Sequence, residues 1–174
     1  GVSVLIGLIL FFLPCSPAWF GLIPAWMLLR MALNAIDGML AREHDQRSTL
    51  GAYLNELTDV LSDAALYLPF ARVAPFDPFW VAVVVLVAAL SEMSGLMGQA
   101  VGSGRRYDGP MGKSDRAFVF GGLGLVVACF GGATGLPETW LPLSWVLPAV
   151  AALTAWSIHN RIQSGIQATH ERSH

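Results

Sequence analysis

Charge is what this chain has least of. Asp, Glu, Lys and Arg make up 13% of its 174 residues against 55% hydrophobic, and its mean hydropathy is positive. A soluble domain of this size carries about a quarter charged residues, so the shortage excludes an ordinary soluble fold and points to an integral membrane protein. Cysteine is also sparse. Cys15 and Cys129 stand alone, outside any metal or redox spacing, so no disulfide framework is implied and both are expected to be buried, inert thiols. Linker composition, internal repeats and low-complexity tracts are lacking too, which leaves one domain over residues 1–174 and no room for a separate soluble one. The opening run GVSVLIGLILFFLP has no initiating Met and no basic leader. It falls short of the roughly 20 apolar residues that a span needs, so the chain is expected to begin inside its first helix, with a preceding segment lost.

Long apolar runs are present instead. Pro, Gly or charge divides them into six candidate spans at 2–13, 18–41, 49–72, 78–101, 115–133 and 140–162, an all-α, six-helix polytopic bundle. Arg42, Arg47, Arg105, Arg106, Lys113, Arg116, Arg161 and Arg172 then fall in loops or the tail on one side, with Arg72 near the other. The positive-inside tendency makes the first side the cytoplasm. The net charge of −2 says little in comparison. Trp19, Trp26, Trp80, Trp140 and Trp145 mostly fall near span ends, as interfacial aromatic residues do.

Against this apolar background, residues 34–63 place acids, amides and an arginine inside sequence that should span the bilayer. Each Asp or Arg at a span centre costs about 2.5 to 3.5 kcal/mol on insertion scales, so several together indicate function. On a helix Asn34, Asp37, Gly38 and Ala41 share one face, with small residues leaving space beside the polar ones. Asn55, Asp59 and Asp63 repeat every four residues as a stripe on the next helix, with Glu56 at its flank. The short turn between makes the two helices antiparallel neighbours. At about 1.5 Å of rise per residue, Asn34 and Asp37 lie roughly 12 and 8 Å in from Arg42, and Asn55 and Asp59 roughly 9 and 15 Å in from Thr49, so the two sets share a depth. Oxygen donors without Cys or His suit a hard cation such as Mg²⁺, Mn²⁺ or Ca²⁺ beside a phosphate or pyrophosphate. Polar helix packing without metal is the alternative.

The same residues carry a family pattern. Asn34, Asp37-Gly38, Ala41-Arg42, eight residues, Gly51, Asn55 and Asp59 resemble the signature of the CDP-alcohol phosphotransferases, in which the four ligand positions are usually Asp. The resemblance implies a six-span membrane enzyme of phospholipid biosynthesis. Such an enzyme moves a phosphatidyl or related substituted phosphoryl group from a CDP-alcohol, commonly CDP-diacylglycerol, to an acceptor hydroxyl and releases CMP. It implies Mg²⁺ or Mn²⁺ as cofactor, a cytoplasm-facing site, membrane lipids as partners and often a homodimer. No nucleic acid partner is expected, and the expected location is a bacterial inner membrane. Carried over by position, Asn34, Asp37, Asn55 and Asp59 take the metal-ligand places and Asp59 also that of the general base, while Gly38, Arg42 and Ser48 take places that contact the CDP-alcohol.

Two of the four ligand positions are Asn here, and an amide oxygen is a weaker, uncharged ligand for Mg²⁺. One metal instead of two, help from Asp63 or Glu56, or a site that binds nucleotide without turnover would each accommodate this. Asp63 has a competing structural assignment: it lies about 21 Å in from Thr49 and Arg30 about 18 Å in from Arg42, so an Arg30–Asp63 ion pair is expected, with Glu92 as a second partner for Arg30. The loop of residues 102–118 holds Arg105, Arg106, Lys113 and Arg116. Such a cluster enforces topology or holds an anion, and Lys113 and Arg116 are the candidates for an acceptor's phosphate because Gly109, Pro110 and Gly112 could turn the loop back toward the cavity. His159, His170 and His174 follow no ligand spacing and receive no role. The rival class is a cation or proton transporter, whose acids would line a path through to the far side.

Overall fold

The computed structural model describes residues 1–13, 16–43, 49–132 and 136–172. Among these residues the architecture is helical: α1 (Val2–Phe12), α2 (Leu22–Glu43), α3 (Thr49–Tyr67), α4 (Pro78–Ala100), α5 (Lys113–Phe130) and α6 (Val146–Arg172). For Asn34, Asp37, Gly38 and Arg42, in the second half of α2, the description extends to the backbone alone. Three 3₁₀ segments join the helices, at Pro17–Gly21, Leu68–Arg72 and Glu138–Trp145.

The six helices follow the expected order, with displaced boundaries. The run expected at 49–72 splits at Tyr67, because Pro69 has no N–H to continue the helix and the chain tightens into a 3₁₀ turn. The last helix extends ten residues past the expected end at 162, since its polar C-terminal part loses hydropathy without losing helix-forming residues such as Gln163, Gln167 and Ala168. Two segments, Pro78–Ala100 and Thr139–His170, are long and apolar enough to cross a membrane among the described residues, and Val2–Phe12 and Pro17–Leu33 are apolar but shorter. The polar residues of α2 and α3 lower the hydropathy of those helices, so six helices are observed and a six-span arrangement stays an expectation.

The chain divides into two compact units, Gly1–Pro69 with Ala117–Pro137, and Phe70–Arg116 with Glu138–His174. In the first, α1 packs on α3 so closely at Gly7 that a Cβ there would lie 2.1 Å from the Ala65 carbonyl oxygen. Trp26 Nε1 donates to Ser3 Oγ at 2.8 Å, and Tyr67 stacks on Phe120 with ring centroids 3.8 Å apart. Leu50, Leu54, Leu57 and Leu61, spaced as one face of α3, are all exposed, as lipid-facing residues are. Cys129 is also exposed, against the expectation of a buried thiol, because its position on α5 turns away from the stripe of Phe120, Leu123 and Val127 that is buried.

In the second unit α4 and α6 form the principal pair. Asp77 starts α4 as an N-cap, its carboxylate accepting from Phe79 N at 2.8 Å, with Pro78 in the first turn. At the start of α5, Asp115 reaches back to accept from Gly112 N at 2.8 Å, half of a capping box. The loop between α4 and α5 packs onto α6. Gly109, at φ +124, brings its Cα against Ser157, whose hydroxyl accepts from Met111 N at 2.9 Å and donates to Leu153 O at 3.0 Å.

Candidate functional site

The acidic stripe on α3 sits where helix periodicity expects it. Asp59 and Asp63 are one turn apart and face Arg30 of α2, whose Nη2 donates to Asp63 Oδ1 at 2.6 Å and to Asp59 Oδ1 at 3.3 Å. The three side chains are 13, 16 and 8% accessible for Arg30, Asp59 and Asp63, so the group is largely withdrawn from water. Leaving one charge of such a group without its partner costs about 3 to 5 kcal/mol. The expected Arg30–Asp63 pair is therefore present. The sharing with Asp59 was missed, although the four-residue spacing of the two acids carried the signal: a planar guanidinium that reaches one carboxylate can reach its neighbour on the same face.

The other positions divide by what is described. Glu56 is half-buried on the flank of the stripe, and Asn55 is exposed one turn before Asp59. Asn34, Asp37, Gly38 and Arg42 lie on the helical backbone of α2, at the spacing that puts the first three on one face, and Ser48 lies outside the described residues. No group of three or more His, Cys, Asp or Glu that could hold a metal occurs among the described residues. The candidate donors on α3 are all oxygen, Asp59 partly withdrawn from water and Asn55 exposed, and the chemistry of an oxygen set suits a hard divalent cation.

A second charged cluster lies within the other unit, centred on Glu92 of α4. Arg116 Nη2 donates to Glu92 Oε1 at 2.8 Å, Arg105 Nη2 lies 3.7 Å from Oε2 and Arg161 Nη1 lies 3.9 Å from Oε1. Arg116, one turn into α5, has no accessible surface, and its Nη1 also lies 3.4 Å from the Met111 carbonyl oxygen. Arg161 donates to the Ser91 carbonyl. The Nε groups of Arg116 and Arg161 are buried without an acceptor among the described residues. Glu92 is thus engaged by arginines of its own unit and not held in reserve for Arg30. Lys113 stands half-buried at the first residue of α5, and Arg106 donates to Ser164 O at 2.9 Å, tying the loop to α6.

Three guanidinium groups therefore gather on one carboxylate, with exposed Asp108 on the same loop as Arg105. Guanidinium groups are suited to phosphate-type anions, and the buried Nε groups of Arg116 and Arg161 are donors without an acceptor among the described residues. Of the loop cluster expected from sequence, Arg105 and Arg116 meet at Glu92. Sequence reasoning missed Arg161 as their companion, because it joins them only through the packing of α4 and α6.

Residues 2–157 match the CDP-alcohol phosphatidyltransferase family. The stretch includes every candidate position named above except Arg161 and Ser164. The chain is also 43% identical over 165 residues to the inner membrane protein YnbA of Escherichia coli strain K12, an alignment covering 94% of this chain and 78% of that protein. No solved structure matches it.

Proposed function

Because this chain belongs to the CDP-alcohol phosphatidyltransferase family, we propose that it transfers a phosphatidyl or related substituted phosphoryl group from a CDP-alcohol, CDP-diacylglycerol foremost, to the hydroxyl of an acceptor alcohol. The reaction takes place at the cytoplasmic side of the inner membrane. The name of its relative as an inner membrane protein and its own apolar helices support the membrane location, and the loop arginines on one side support the cytoplasmic orientation.

The observation that carries the reading is Asp59: the last residue of the spaced motif lies partly withdrawn from water on α3, held by Arg30 beside a second acid. In the proposed step the acceptor oxygen forms a bond to the phosphorus that bears the donor's alcohol, the bond from that phosphorus to the CMP oxygen breaks, and the acceptor proton passes to the Asp59 carboxylate. Asn34, Asp37, Asn55 and Asp59 would hold Mg²⁺ or Mn²⁺, which when bound supplies charge neutralisation on the pyrophosphate. At the family positions, Gly38 would leave room for the nucleotide, and Arg42 and Ser48 would hold its phosphates and polar groups. For an acceptor that is itself phosphorylated, Lys113 and Arg105 are the accessible cations. Arg116, with no accessible surface, stays the fixed partner of Glu92.

Purified protein given CDP-diacylglycerol, Mg²⁺ and a panel of polyol, polyol phosphate and amino alcohol acceptors is expected to release CMP. Asp59→Ala should abolish release while CDP binding stays measurable. Absence of CMP with every acceptor and both metals would overturn the proposal.

A further inference from the structure

The second half of α6 carries His159, Asn160, Gln163 and Gln167, yet Ile158, Ile162 and Ile166 repeat every four residues along it. That stripe forms one wall of a groove of about 500 Å³ inside the second unit, and Met93 and Met97 of α4 form the other. Met93, Met97, Ile162 and Ile166 are 52, 55, 49 and 48% exposed. Apolar side chains gathered in one exposed patch mark a contact surface, where single ones would not. We infer that the groove holds one acyl chain of a phospholipid of the surrounding bilayer, with Arg106 against the lipid's phosphate.

Dimensions choose the occupant. The lining runs from Leu90 to Val101 on α4 and from Ile158 to Thr169 on α6, and eleven steps of about 1.5 Å make it roughly 16 Å long. That is about half of a hydrocarbon core of roughly 30 Å, the depth of one leaflet. Both walls belong to the two segments long and apolar enough to cross a membrane, so the groove opens on lipid. Its volume divided by its length gives a cross-section of about 30 Å², roughly 6 Å across, where a helix with its side chains needs about 10 Å. A single hydrocarbon chain fits, and flexible methionines conform to it. Arg161 stands at the end away from the loop, 4% accessible, its Nη1 donating to the Ser91 carbonyl beside Glu92. Arg106 stands at the loop end. Its Cγ lies 3.1 Å from where a Cβ on Gly98 would be, its Nη2 donates to Ser164 O at 2.9 Å, and its Nε is buried without an acceptor among the described residues. A guanidinium at that end suits the phosphate of a lipid whose chain lies along the groove. On the proposed reading α2 and α3 hold the donor's diphosphate, and no residue of either lines this groove, so the lipid is a resident one.

The test titrates the purified full-length chain in detergent with dioleoylphosphatidylglycerol or dioleoylphosphatidylcholine and counts the lipid carried by the intact protein in native mass spectrometry. About one phosphatidylglycerol should be retained, bound about fivefold more tightly than phosphatidylcholine, which has no net negative charge. Glycerol phosphate, a headgroup without a chain, should not displace it. Met97→Trp with Ile162→Trp fills the groove from both walls at half-exposed positions and should weaken phosphatidylglycerol binding about tenfold or more. Melting of the lipid-free double variant, followed by circular dichroism, should stay within about 2 °C of wild type. Arg106→Gln should erase the preference between the two lipids and Arg106→Lys should keep it, whereas a merely structural role for Arg106 would weaken both lipids alike. Should Arg106→Gln fail to fold, the double tryptophan variant carries the test alone.

No retained phosphatidylglycerol, equal affinity for the two lipids, displacement by glycerol phosphate, or retention unchanged by the two tryptophans would each overturn the inference. So would CDP-diacylglycerol displacing phosphatidylglycerol at a lower concentration than phosphatidylglycerol itself needs, which would give the groove to the donor. A dimer that carries no lipid and dissociates in the double tryptophan variant would make the groove an interface between copies and overturn it as well. None of these outcomes depends on CMP release.

Discussion

Replacing Glu92 by Gln keeps the size and shape of the side chain and removes the carboxylate that three arginines of its unit face. The closest contact is the strongest: Arg116 Nη2 lies 2.8 Å from Oε1, and the Arg116 side chain has no accessible surface. With charge centres about 4 Å apart and an effective dielectric of about 20, the lost attraction is about 4 kcal/mol. That agrees with the about 3 to 5 kcal/mol found when one partner of a buried pair is deleted. Arg105 and Arg161, at 3.7 and 3.9 Å, lose smaller shares because Arg105 is 22% accessible and Arg161 donates to the Ser91 carbonyl as well. At about 2 to 4 °C per kcal/mol for a chain of this length, the midpoint of thermal unfolding should fall by about 8 to 16 °C. The measurement is intrinsic fluorescence of the detergent-solubilised protein on heating, repeated with millimolar inorganic phosphate, which should recover part of the loss by supplying the missing anion. Adding Arg116→Met to Glu92→Gln should cost less than the sum of the two single changes, because the buried cation leaves with its partner. A Glu92→Gln variant within about 1 kcal/mol of wild type, or strict additivity of the pair, would refute the view that this carboxylate is the counter-charge of the cluster.

Two further outcomes follow from local geometry. Gly109→Ala forces a side chain onto a φ of +124 and its Cβ to within 2.5 Å of Ser157, so the loop should lose its hold on α6 at a cost of about 1 to 3 kcal/mol, read as faster proteolysis between Gly102 and Gly112. Asp77→Ala removes the acceptor for Phe79 N and should lower stability by about 1 kcal/mol, whereas Asp77→Asn or Asp77→Ser should restore most of it in the same thermal assay.

Depth along a helix follows from residue numbers, so contacts that depend on depth alone were legible in the sequence. Arg30 and Asp63 follow from rise per residue on two antiparallel helices, and their ion pair at 2.6 Å is the result. Contacts that depend on how each helix is rotated were not legible. Glu92 lies midway in α4 and reads equally well as a partner for any arginine at similar depth, so its engagement by Arg116, Arg105 and Arg161 required the packing of three helices. The same blindness applied to Cys129, whose chemistry suggested burial and whose helix face is exposed. Helix ends followed hydropathy where the chain is apolar and failed where it is not, as in the polar extension of α6 to Arg172. Ser157 offered no signal in advance, because a lone serine in a helix more often bonds its own backbone, which it also does here, to Leu153.

Each charged cluster ties helices together within its own unit. In one, Arg30 of α2 bonds Asp63 and Asp59 of α3 at 2.6 and 3.3 Å. In the other, Glu92 of α4 meets Arg116 of α5 at 2.8 Å, with Arg161 of α6 3.9 Å away. A charge withdrawn from water must keep its partner, at about 3 to 5 kcal/mol when the partner is deleted, so these contacts fix the rotation of each helix as well as its depth. On the proposed reading Asp59 serves the chemistry as well, and its bond to Arg30 links that chemistry to the packing of α2 on α3. A carboxylate held in this way cannot be optimised for packing alone, the usual trade between stability and activity.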